Sequence, residues 1–102
     1  MRRKAKVDDN QQEIVRLLRQ LGCSVKSLAA VGGGCPDLLV GTQGKNLLIE
    51  VKDGAKAKSR RKLTTDQQDF HKTWDGRIHL VETDQDVLDL LVEERKLLQS
   101  QH

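Results

Sequence analysis

Two short apolar segments, residues 37–42 and 45–52, flank a Gln43-Gly44 pair, and this arrangement constrains the fold more than any other feature of the chain. Two turn residues between runs rich in Leu, Ile and Val read as a tight β-hairpin. Alternation along it puts Leu38, Val40, Leu47, Ile49 and Val51 on one face and Leu39 and Leu48 on the other. A sheet that is apolar on both faces needs helices on both. The sequence offers three. Residues 8–21 carry Ile14, Leu17, Leu18 and Leu21 at i, i+3, i+4 and i+7, with Asp8 or Asp9 to cap the start and Gly22 to stop the helix. Residues 64–74 form a second helix, capped by Thr64 or Thr65 and ended by Gly76. Residues 84–98 form a third, with Val87, Leu88, Leu91 and Leu98 on its main apolar face. Strands at 24–30 and 77–82 complete the order α-β-β-β-α-β-α. The expected fold class is α/β: a small three-layer α/β/α domain around a mixed sheet.

A length of 102 residues fits one domain. The expected division is a basic flexible N-terminus at 1–7, a single domain at 8–99 and a tail at 100–102. The only aromatic residues are Phe70 and Trp74, so the core is aliphatic. No run approaches the roughly 18 apolar residues of a membrane span. The basic start is not followed by the apolar stretch of a secretory signal. Two cysteines, Cys23 and Cys35, make no disulfide framework and suit a reducing compartment, so a cytoplasmic protein is expected. Net charge is only +3, but it is segregated: residues 52–62 hold six positive side chains and one negative, and Arg2, Arg3, Lys4 and Lys6 add four more. Segregation of this kind points to a polyanion such as nucleic acid, or else to a solvated loop and tail.

The hairpin also brings chemistry together. If it turns about Gln43-Gly44, facing residues have numbers that sum to 87, so Asp37 faces Glu50. Lys52 lies two residues on and points to the same face. Two carboxylates and an ammonium then share one end of the hairpin. Opposed carboxylates repel. A divalent cation with a preference for hard oxygen ligands, Mg²⁺ or Mn²⁺, would offset that repulsion. The plainer alternative leaves one carboxylate solvated and pairs the other with Lys52.

Pro36-Asp37 followed by Glu50-Val51-Lys52 resembles the PD-(D/E)XK nuclease signature. The stretch Gly34-Cys35-Pro36-Asp37-Leu38-Leu39-Val40-Gly41 is similar to the GxPDLxVG stretch of VRR-NUC domains, and the segment from Leu63 to Phe70 resembles their second-helix motif. The resemblance implies a restriction-endonuclease-like core and a metal-dependent phosphodiester hydrolase of the stand-alone phage or bacterial type. It implies that Asp37 and Glu50 ligate the metal together with the Val51 carbonyl. Lys52 would activate water and stabilise phosphate charge, and Gln67 would orient water or substrate. Glu13 on the first helix matches a further acidic position, with Asp9 and Asn10 as alternatives. Lys56, Lys58, Arg60, Arg61 and Lys62, just after the ExK strand, are placed to hold DNA phosphates without reading sequence.

The implied function is a structure-selective DNA endonuclease acting on branched or duplex DNA, Holliday junctions among them. The alternative is a DNA-binding subunit with the same fold and no catalysis. Leu90, Val92 and Leu97 widen the apolar stripe of the last helix, as core or as the interface of a homodimer. Cys23, Cys35, His71 and His79 lack zinc spacing: the cysteines read as buried or idle thiols, His79 as structural, and His71 as a surface or satisfied histidine, with a phosphate contact as the alternative. Gly32-Gly33-Gly34 lacks the Lys-Ser/Thr of a phosphate loop and reads as flexible backbone that leaves space beside Asp37. No membrane and no small-molecule cofactor are expected.

Overall fold

A computed structural model describes residues 10–53 and 62–100. The expected basic N-terminus, the Asp8 or Asp9 cap and the residues Lys56, Lys58, Arg60 and Arg61 lie outside that set. The elements are α1 (Gln11–Gln20), β1 (Ser24–Ser27), β2 (Leu38–Thr42), β3 (Lys45–Val51), α2 (Thr65–Thr73), β4 (Ile78–Val81) and α3 (Asp84–Ser100). Their order and type are those expected from the sequence. Among the described residues no helix is long and apolar enough to cross a membrane.

The strands run β1-β2-β3-β4, antiparallel over the first two pairings and parallel between β3 and β4. Gln43 (φ 51°) and Gly44 (φ 77°) are both left-handed, as a two-residue type I′ turn requires. That turn sets the register: Thr42 pairs with Lys45 and Leu38 with Ile49, the expected sum of 87. One face of the sheet then presents Leu38, Val40, Leu47, Ile49, Val51 and Val81. These bury against Ile14 and Leu18 of α1 and Val87 of α3. The other face carries Leu48, Glu50 and Lys52, with α2 over the site end. Its cover is partial, since Leu39 and Leu80 stay exposed.

Three local readings need correction. Helix α1 begins at Gln11, with Asn10 at the N-cap position but making no side-chain capping bond. Instead Asn10 Nδ2 donates to the carbonyls of Lys52 (3.1 Å) and Glu82 (3.0 Å), tying the start of α1 to the ends of β3 and β4. Strand β1 stops at Ser27 rather than Ala30, where the chain enters the turn leading to the glycines. On α3 the sheet-facing positions are Val87, Leu90, Leu91 and Glu94, so Leu88 and Val92 point outward.

Glu94 is a buried carboxylate at a core-facing position. It meets Lys45 Nζ at 3.3 Å, His79 Nε2 at 3.7 Å and Arg77 at 3.8 Å. Burial, then the Arg77 charge, lowers the His79 pKa below its ordinary 6.5, while Glu94 pulls it up. The unfolded chain therefore binds the His79 proton more readily than the folded one. Stability is full above about pH 6.5 and is lost as pH falls toward the lower folded value. Thermal unfolding from pH 7 to pH 5 should show a shallower acid-side fall in Tm for His79→Gln than for the wild type.

Candidate active site

The site is built from the end of the hairpin and the first turns of α2. Leu28 N donates to the Asp37 carbonyl at 2.8 Å, so Asp37 continues the β1–β2 ladder beyond Leu38. The β2–β3 register, continued one step, sets it opposite Glu50. Its carboxylate oxygen Oδ2 accepts a 2.7 Å hydrogen bond from Val51 N. Asp37 is thus held against the backbone of the strand that carries Glu50 and Lys52. Both of these are buried, at 1% and 7% exposure, which is unusual for charged side chains and requires partners.

Gln67 supplies the bridge. Its Oε1 accepts from Lys52 Nζ at 2.9 Å, and its Nε2 donates to Glu50 Oε2 at 3.3 Å. The same Oε1 accepts from Thr64 N at 2.9 Å, while Gln67 N donates to Thr64 Oγ1 at 3.2 Å. This is a capping box, with Thr64 as N-cap. One side chain therefore closes the start of α2 and fixes the relation of the ammonium to the carboxylate. Gly34 seats that helix end. It adopts φ +79°, and a Cβ there would overlap the Asp66 carbonyl and lie 2.8 Å from Gln67 N. The space expected beside Asp37 is in fact filled by α2, because only a residue without a side chain lets the two backbones approach so closely.

Two further residues face the carboxylates. His71 is one helical turn beyond Gln67, and its Nε2 lies 4.0 Å from Glu50 Oε1. Burial, then the Lys52 charge, lowers its pKa and favours the neutral ring. Cys35 is half-buried, and its thiol pKa is raised by burial, by Glu50 and by Asp37, which keeps it protonated. Sequence reasoning set both aside. The i, i+4 spacing of Gln67 and His71, and the position of Cys35 two residues before Asp37, are the signals that could have found them.

Asp37, Glu50, Lys52 and Gln67 come together as expected. Val51 stands among them and donates its N–H to Asp37. Glu13 does not join them: it is exposed in the first turn of α1. Among the described residues no group of three or more His, Cys, Asp or Glu side chains is arranged to hold a metal ion. Lys62 is exposed at the approach to α2.

Two hard carboxylates with an ammonium alongside fit an ion such as Mg²⁺ or Mn²⁺. Mg²⁺ in particular is commonly held by one or two carboxylates, with water and substrate phosphate completing its shell. Asp37 and Glu50 offer two carboxylates of that donor type at one end of the hairpin.

Neither a curated protein nor a solved structure matches this chain. A protein family does match, over residues 2–78, a span that contains the whole Asp37–Glu50–Lys52–Gln67 constellation. With that span covering more than half of its length, the chain belongs to the archaeal Holliday junction resolvase (Hjc) family, a PD-(D/E)XK-like nuclease family.

Proposed function

We propose that this protein is a divalent-metal-dependent DNA endonuclease that selects branched DNA by shape, the four-way junction first. The observation that carries the reading is the Gln67 bridge. A buried ammonium and a buried carboxylate are locked to one another beside a second carboxylate, in a chain of a resolvase family. A pure DNA binder has no use for paired carboxylates near phosphate.

Asp37 and Glu50 would hold the ion, with the Val51 carbonyl at the same strand end. The ion when bound lowers the pKa of water and neutralises charge on the phosphate. Lys52 would place its Nζ toward the attacking water and the developing phosphate charge. Gln67 holds that Nζ in position. Lys56, Lys58, Arg60, Arg61 and Lys62 would hold flanking phosphates and position the duplex arms without reading bases. Glu13 would contribute only through water. The VRR-NUC likeness of the segments around Asp37 and Gln67 is a closer relationship that we propose within the same superfamily. We also propose a homodimer, which would present two sites to one junction, and a cytoplasmic location.

The test is cleavage of labelled four-way junction, flap and linear duplex DNA in Mg²⁺, Mn²⁺ or EDTA. The junction should be cut fastest, with either ion, and nothing should be cut in EDTA. Junction binding without cleavage under every ion condition would overturn the enzyme and favour the inactive binder. Equal rates on all three substrates would overturn the selectivity.

A further inference from the structure

Both oxygens of the Glu50 carboxylate face α2. Oε2 accepts from Gln67 Nε2 at 3.3 Å, and Oε1 stands 4.0 Å from His71 Nε2. The two α2 residues are four apart, so one helix face presents both. His71 Nε2 is shielded from solvent and has no hydrogen-bond partner among the described residues. A nitrogen open to solvent could meet DNA. One covered by protein and turned toward Glu50 acts on Glu50 instead. The terminal torsion of a carboxylate is broad, and contacts from α2 at both oxygens restrict it.

We infer that His71 is a positioning residue that holds Glu50 Oε1 as Gln67 holds Oε2, so that α2 sets the plane of a carboxylate borne by β3. Closing the contact takes a shift of roughly 1 Å, and such contacts are often long before a site is loaded. The inference rests on the active-site reading above. It adds a residue whose work is done through Glu50 and not on DNA.

The test uses the full chain and two variants. His71→Phe keeps a ring of similar size without a nitrogen, and His71→Gln restores a donor. Mn²⁺ binding is measured by calorimetry without DNA, and kcat and KM are measured on the four-way junction. His71→Phe should weaken Mn²⁺ binding by about tenfold or more and lower kcat, with KM for DNA unchanged. His71→Gln should recover a good part of both losses. Wild-type Mn²⁺ affinity in His71→Phe would overturn the inference and leave the active-site reading standing. A raised KM at unchanged Mn²⁺ affinity would also overturn it, by making His71 a DNA contact. No Mn²⁺ binding by the wild type would overturn the site reading, and the inference with it.

Discussion

Replacing Lys52 with methionine is expected to lower the rate of junction cleavage by about a hundred- to a thousandfold while the protein still binds the junction. Removing one preorganised donor from a site where charge develops costs that much in comparable enzymes. Methionine keeps most of the volume of the lysine stem, so the 7% exposed position stays filled. The bond from Lys52 Nζ to Gln67 Oε1 is lost, but Gln67 keeps Thr64 N on the same oxygen and Glu50 on its amide nitrogen. The start of α2 therefore survives. Single-turnover cleavage at saturating Mg²⁺ and junction binding in EDTA would be measured side by side. Equal loss of cleavage and binding would make Lys52 a phosphate anchor. Unchanged cleavage would remove it from the chemistry.

The hairpin is the most legible part of this chain because a two-residue turn leaves one register open. Once Thr42 faces Lys45, the shared face of Asp37, Glu50 and Lys52 follows from the period of a strand. The order of elements follows from apolar spacing for the same reason. What escapes is whatever depends on where α2 docks. Gln67 can be singled out from its motif, but its grip on Lys52 and Glu50 joins residues 15 and 17 positions apart. His71 matters only once that face of α2 lies over β3. Glu94 escapes differently. Periodicity assigns a glutamate to the outside of a helix, and its burial depends on Lys45, Arg77 and His79 arriving from the sheet. Asn10 reads as part of the first helix and as an alternative to Glu13, yet its amide is spent on the carbonyls of Lys52 and Glu82. Glu13 is the converse case: its position on α1 is legible in the sequence, but its side chain stays exposed in the first turn of that helix.

The docking of α2 can be tested at a residue that touches no substrate. Gly34→Ala should destabilise the fold and disable the site together. Two costs add there. An L side chain at φ +79° costs about 1–2 kcal/mol. The new Cβ also overlaps the Asp66 carbonyl, which is backbone and cannot rotate away, so either the glycine loop or the start of α2 must move. Gly33 separates the two effects: at φ +65° it carries a similar conformational cost, but a Cβ there meets nothing within 4 Å. Gly33→Ala should therefore lower Tm by roughly 4–8 °C per kcal/mol of that first cost alone and leave cleavage intact. Gly34→Ala should lower Tm clearly further. Because α2 carries Gln67 and His71, its displacement should weaken Mn²⁺ binding and cleavage even well below the melting temperature. If Gly34→Ala matched Gly33→Ala in both Tm and cleavage, the close approach of the glycine loop to α2 would have no part in building the site. If it lost stability alone, the loop would serve the fold, and the Glu50–Gln67–Lys52 bridge would tolerate a shifted helix.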